Sequence, residues 1–192
     1  MRGAGRLLPY NLGGLDMSEL YKLDYESPIG MIEISGTNEA ICSIMFAERD
    51  IKVNGRQDRT PKVLVECYHQ LDEYFKGERM EFTFPFLLEG TIFQKNVWNA
   101  LTGIVYANTG TYKDIAVTIG NEKAIRAVGS ANGRNKLSIV IPCHRIIGSN
   151  GKLTGYAGGL WRKEWLLQHE RNVKQETGSA LGIPGTQTVA KR

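Results

Sequence analysis

Cys143 is the residue in this chain whose surroundings most favour nucleophilic chemistry. It stands in Ile139-Val140-Ile141-Pro142-Cys143-His144-Arg145, where a strand-like apolar run meets a proline and an imidazole and a guanidinium follow directly. Proline lacks an N–H and stops a strand, so Cys143 is expected at an element boundary, partly exposed, and not inside a sheet. Thiol chemistry runs through the thiolate, and a partly exposed cysteine beside cationic groups is where a depressed pKa is expected. A cysteine ending an apolar run is ordinarily just a small buried hydrophobe. The adjoining proline, histidine and arginine turn the reading towards chemistry.

Two further clusters lie downstream. Gly155-Tyr156-Ala157-Gly158-Gly159-Leu160 is a glycine-rich loop with one aromatic, and Lys163 to Glu170 reads as an amphipathic helix ending in an acid. Upstream, Thr111 to Ala116 and Lys123 to Gly129 read as two short helices joined by Gly120-Asn121, which fits a helix-turn-helix. Thr111 is placed to cap the first, with Asp114 at the capping-box position, where Glu or Gln is the stronger choice. The second helix carries Ala124, Ala127, Gly129, Ser130 and Ala131. Small residues there allow close backbone approach and few contacts to base edges, which suits sequence-independent binding to a duplex.

The elements that must position these residues fall into two groups. From Tyr21 to Phe46 the pattern is strand-like, with a turn at Ser27-Pro28-Ile29-Gly30 and a third strand over 40–46. Val63, Leu64, Cys67, Leu71 and Phe75 form a helical stripe, and 80–88 reads as a short strand or extended linker. Phe93, Val97, Trp98 and Leu101 mark an amphipathic helix over 94–101 that opens a mostly helical half. The expected fold is α+β: a flexible extension over 1–18, a small α/β domain with an antiparallel sheet over 19–89, a mostly helical domain with the helix-turn-helix over 90–173, and a disordered tail over 174–192.

Composition narrows the function. Residues 1–89 hold 10 Lys and Arg against 15 Asp and Glu, a net of −5, whereas residues 90–192 hold 14 against 5, a net of +9. A basic half joined to an acidic one is the footprint of a nucleic-acid-binding unit attached to something else. Cys42, Cys67 and Cys143 show no framework spacing, which argues for a reducing cytoplasm and against disulfides. Cys67 and His69 lack the partners that would complete a tetrahedral zinc set, so no metal is expected. No apolar run is long enough to cross a membrane, and the first residues do not read as a secretory signal.

Together, from about Phe93 to Glu170, these motifs resemble the O6-alkylguanine-DNA alkyltransferases, also called methylated-DNA–protein-cysteine methyltransferases; Pro-Cys-His-Arg is highly specific to that family. The resemblance implies a DNA repair protein that flips O6-alkylguanine out of duplex DNA and transfers the alkyl group irreversibly to its own Cys143, once, with no cofactor. It implies His144 as base, working through a water, and Glu170 fixing the imidazole tautomer. It implies that Tyr112 assists rotation of the nucleotide and donates a proton towards guanine, that Asn135 braces the turn before the acceptor, and that Lys163 steadies the leaving guanine. Tyr156, Ala157, Gly158 and Gly159 are the implied pocket. Arg126 is the implied finger that fills the vacated stack; Tyr112, Ala127, Gly129, Ser130 and Ala131 join it on the DNA side, in the minor groove, and Arg145 is grouped with them for structural or phosphate contacts.

The implied partner is double-stranded DNA, bound by a monomer with no membrane association. The protein would sit in the cytoplasm, at the nucleoid in a bacterium, or in the nucleus of a eukaryote. The chain departs from the family pattern at Lys136, where a proline is usual, and at Val105, Ala107 and Asn108 in the loop before the helix-turn-helix. A lost proline or glycine is expected to loosen its connection by roughly 1 kcal/mol. Ala157 replaces a hydroxyl residue found in some relatives. Other readings weigh less: a non-catalytic alkylguanine binder would lack the cysteine, a transcriptional regulator would carry base-reading side chains on the second helix, and a cysteine hydrolase would turn over.

Overall fold

A computed structural model of the chain describes residues 19–180. Strands β1 (Tyr21–Ser27), β2 (Gly30–Gly36) and β3 (Ile41–Phe46) form an antiparallel sheet in that order, with an irregularity at Ser35/Gly36. Helix α1 (Lys62–Phe75) lays Val63, Leu64, Cys67, Leu71, Tyr74 and Phe75 inward against it. The stripe matches the helical spacing in the sequence and is one residue richer, by Tyr74.

The outer edge of β3 would be an open hydrogen-bonding row, a liability that proteins cover. Two extended segments cover it here. Residues 85–87 pair at Ile41, whose N–H donates to Pro85 O (3.0 Å) and whose carbonyl accepts from Leu87 N (2.9 Å). Residues 136–138 pair at Ile44, which donates to Lys136 O (2.8 Å) and accepts from Ser138 N (3.0 Å). The sheet of the first half therefore holds the chain that leads into Pro-Cys-His-Arg.

The second half is helical, and the whole is α+β. Helix α2 (Ile92–Thr102) starts at a capping box in which Thr91 and Gln94 each satisfy the other's backbone N–H. Strand β4 (Gly110–Thr111) leads into helix α3 (Tyr112–Thr118), capped by Thr111, and Asp114 completes the box despite being the weaker residue type. A short 3₁₀ turn at Glu122–Ala124 precedes helix α4 (Ile125–Gly133), giving the expected helix-turn-helix packed against α2. Strand β5 (Ile146–Ile147) pairs with β4 in parallel and ties the start of α3 to the residues just after Arg145.

Two expectations need correction. Residues 139–141 form no strand: Val140 N–H reaches Ser138 O (2.8 Å) and Ile141 N–H reaches Leu137 O (2.9 Å), so the run is a buried turn. Short apolar runs do not separate buried strand from buried turn by periodicity. Helix α5 (Leu160–Ala180) also runs past Glu170, so residues 174–180 are helical and not tail. Val173 is buried there and anchors the extra turns, which composition alone hid. The extension over 1–18 and the tail from 181 lie outside the described residues.

Candidate active site and the DNA-facing helix

The acceptor turn is built around Asn135. Its amide nitrogen donates to Ile141 O (2.9 Å), to Leu137 O (3.3 Å) and to Cys143 Sγ (3.1 Å), while its oxygen accepts from Leu137 N–H (2.9 Å). Ile139 takes φ +72° within this turn, a left-handed conformation that a β-branched residue adopts only when its surroundings impose it. Pro142 then opens the 3₁₀ turn Cys143–Arg145.

Cys143 is buried, not partly exposed, and burial pushes its thiol above the ordinary value, with the Asn135 hydrogen bond and the Lys163 charge opposing the rise. The expected depressed pKa is therefore reversed in the free protein: cationic neighbours are present, but desolvation of the thiolate outweighs them. Cys143 therefore rests as a neutral thiol.

Behind it, His144 and Arg145 both reach Glu170, a residue in the middle of α5. His144 Nε2 lies 2.8 Å from Glu170 Oε1, and Arg145 donates to the same carboxylate through Nε (3.0 Å to Oε2) and Nη2 (2.9 Å to Oε1). Burial would neutralise Glu170, yet the His144 and Arg145 partners hold its carboxyl well below the usual range. An ionised carboxylate only accepts, so His144 Nε2 carries its hydrogen, and Nδ1 of the neutral ring is a bare acceptor. Nδ1 is buried without a hydrogen-bond partner among the described residues. Burial also lowers the His144 pKa, against the pull of Glu170, which keeps the ring neutral.

The loop 154–159 faces this group. Lys163 is fully buried, with Nζ donating to Thr154 O (2.6 Å) and Gly155 O (3.3 Å), and burial lowers its pKa to about 8 while Cys143 opposes the shift. Its ammonium therefore clamps the loop's backbone beside the acceptor. Gly158 is glycine for space: a Cβ there would stand 2.7 Å from Phe46 Cδ2 and 2.9 Å from Tyr156 Cε1. Tyr156 packs edge-on to Phe46 of β3, ring centroids 6.3 Å apart, while Ala157 is exposed and Gly159 half-buried. Tyr112, at the first turn of α3, lies 3.4 Å from Thr154 Oγ1 and 3.5 Å from Thr154 O, so the helix-turn-helix and the loop meet at its hydroxyl.

The residues expected on the DNA side divide. Arg126, Ala127 and Ser130 are exposed on one face of α4, with Gly129 half-buried beside the Tyr112 ring. Ala131 is not on that face. It is buried, and its carbonyl accepts from Trp98 Nε1 (2.9 Å). Arg145 is turned inward as well, in a structural place and not on the exposed face: Glu170 and Ile104 O (2.7 Å) occupy its guanidinium, and the residue is buried. Both errors come from reading a helix or motif as if every member faced outward.

Sequence reasoning missed three contributors. Tyr74 Oη donates to Glu170 Oε1 (2.9 Å), and the Ala107 backbone N–H donates to Oε2 (2.9 Å). Arg162 donates to Ile29 O (2.8 Å) and Gly158 O (2.8 Å) and lies over the Phe46 ring, joining the first domain to the loop. Tyr74 continues the α1 stripe at helical spacing, so its burial could have been found, but a partner 96 residues away could not. Among the described residues no cluster of His, Cys, Asp or Glu could hold a metal ion, and no helix is long and apolar enough to cross a membrane.

The site thus combines a buried thiol, a His–Glu pair, a glycine-rich loop and a helix-turn-helix. The chain belongs to the 6-O-methylguanine DNA methyltransferase family: the ribonuclease-like domain of that family matches residues 20–88 and its DNA binding domain matches residues 92–172. A methylated-DNA–protein-cysteine methyltransferase of Methanosarcina acetivorans is 48% identical over 79% of this chain and 98% of its own length. The constitutive enzyme of that name from Bacillus subtilis is 42% identical over 79% and 95%. The Mycobacterium tuberculosis O6-methylguanine methyltransferase solved in complex with DNA superposes with a TM-score of 0.72 at 40% identity, covering 80% of this chain and 94% of that one.

Proposed function

We propose that this chain repairs O6-alkylguanine in double-stranded DNA by moving the alkyl group to Cys143, once and irreversibly. The observation that carries the reading is the acceptor group itself: Cys143 Sγ held at 3.1 Å by Asn135, next to a His144–Glu170 pair at 2.8 Å. His144 Nδ1, the buried acceptor on the ring, takes the thiol proton through a water. The thiolate sulfur forms a bond to the alkyl carbon as the carbon–oxygen bond to guanine breaks. The guanine gains a proton, with Tyr112 the donor at the pocket edge, and leaves as the normal base. The product thioether cannot be reduced back, so the protein is consumed and no cofactor is needed.

The exposed face of α4 approaches the minor groove, with Ala127, Gly129 and Ser130 allowing close contact and Arg126 occupying the gap left by the extruded base. Asn135 and Lys163 act by positioning, the first on the turn and thiol, the second on the loop. The protein works as a monomer, in a compartment reducing enough to keep Cys143 as a thiol.

Incubation with a duplex carrying O6-methylguanine tests this. Intact mass should rise by one methyl increment per molecule, with unmodified guanine restored in the strand, and Cys143→Ala should abolish both while leaving DNA binding largely intact. Continued conversion of DNA beyond one equivalent would contradict the single-turnover reaction.

A further inference from the structure

Tyr74 belongs to the first domain, yet its hydroxyl ends on the carboxylate at the centre of the second. It is fully buried, packed against Phe75, Phe82, Tyr106 and His169, and its hydroxyl donates to Glu170 Oε1 (2.9 Å). That oxygen is the one that faces His144 Nε2 (2.8 Å). We propose that Tyr74 is a positioning residue of the acceptor site: by sharing Glu170 Oε1 with His144, its phenol sets how strongly the carboxylate attracts a proton onto the imidazole.

The argument is one of competition for a single acceptor atom. Each donor on Oε1 withdraws negative charge from it, and an imidazolium is stabilised in proportion to the charge that remains. Burial and the charge of Glu170 raise the Tyr74 pKa far above its usual value, so it stays a neutral donor throughout the working range. Other ionisable groups lie close by, among them Tyr156 of the loop 154–159, whose phenol burial keeps neutral beside Cys143 and Glu170. Glu170 and Lys163 come from α5, Arg145 and Cys143 from its own turn, and Tyr106 from the loop before α3 adds a neutral phenol near the Glu170–Arg145 pair. His169 lies edge-on to the Tyr74 ring but spends Nε2 on the Tyr74 carbonyl (2.8 Å). Among the described residues, Tyr74 is thus the one donor to Glu170 Oε1 that the first domain supplies. The first domain thereby holds the poise of the second domain's base, so that His144 rests neutral, ready to accept the thiol proton.

This rests on the alkyl-transfer reading only for its kinetic consequence, because the titration of His144 can be followed in the free protein. Tyr74→Phe removes the donor and keeps the ring. NMR titration of His144 should then show its midpoint raised by about half a pH unit or more, and the acid limb of single-turnover alkyl transfer should move up by the same amount. Site-specific 3-fluorotyrosine at position 74, a stronger donor of nearly the same size, should lower the midpoint, which keeps the test open if Tyr74→Phe fails to fold. A His144 midpoint unmoved by either change, or moved in the same direction by both, would overturn the proposal and leave Tyr74 as packing. Absence of transfer by the unaltered protein would instead count against the alkyl-transfer reading, with the His144 titration still deciding on Tyr74.

Discussion

The acceptor group and the exposed face of α4 are a few turns of chain apart and are opposites in physical character. Cys143, His144, Arg145, Lys163 and Glu170 are all buried, and the charged members are matched by named partners. Arg126, Ala127 and Ser130 stand in solvent on one helix face. Low dielectric sharpens every interaction among the first set and makes an unmatched charge there costly. Contact with a polyanion needs charge that is free to meet phosphate, and shape that lets backbone approach. Motif membership does not sort residues between these regimes; burial does, as Arg145 and Ala131 demonstrate.

The largest effect should come from breaking the buried set. Glu170→Gln leaves Arg145 without its counter-charge and His144 without its carboxylate acceptor, which should cost about 3–5 kcal/mol in chemical denaturation and slow transfer more than it weakens DNA binding. The sign with pH follows from the shifts. Glu170 is held below its ordinary value, so its contribution is full above about pH 4.3 and disappears as pH falls further. The stability gap between the unaltered protein and Glu170→Gln should therefore close at low pH. A gap independent of pH would make Glu170 a packing residue.

The exposed set should respond differently. Arg126→Ala should slow repair of duplex by an order of magnitude or more and leave reaction with free benzylguanine, which needs no flipping, nearly intact. Part of the steep salt dependence of duplex affinity should survive, because the basic half carries further Lys and Arg able to meet phosphate. Equal losses on duplex and free base would place Arg126 in the pocket or the fold.

A smaller effect concerns the thiol. Because burial raises the Cys143 pKa, carboxamidomethylation of the free protein by iodoacetamide should reach half its maximal rate above about pH 8.5, the free-thiol value. Lys163→Met should push it higher by removing the opposing charge. A midpoint below the free-thiol value would restore the activation that the motif alone suggests.

The smallest lies in the loop that departs from the family pattern. Ala107 takes φ +61° while its N–H holds Glu170 Oε2, so Ala107→Gly should stabilise the protein by roughly 0.5 kcal/mol as relief of left-handed strain outweighs added freedom of the unfolded chain. Loss of stability on this change would show that the alanine methyl packs usefully.

Much of this arrangement was legible in the sequence for a physical reason: periodicity and caps are local. The three strands, the α1 stripe and the Thr111–Asp114 box follow from neighbours within a few residues. The identities of Cys143, His144, Asn135, Lys163 and Glu170 as a group came from motif resemblance, and their convergence is now geometric fact. What stayed hidden was non-local. The turn at 139–141 looks like a strand because apolar composition reports burial, not conformation. Tyr74 and Arg162 reach across the two halves, and nothing within a few residues of either encodes the partner.

The central claim is that one buried thiol, and no other, accepts the alkyl group. Cys42 and Cys67 provide the internal control, since both are also buried but neither has a His–Glu relay beside it. Peptide mapping by mass spectrometry after reaction with an O6-methylguanine duplex should place the methyl group on the peptide containing Cys143 alone, at one per molecule. A methyl group on Cys42 or Cys67, or an unmodified Cys143 in protein that has repaired its DNA, would contradict it.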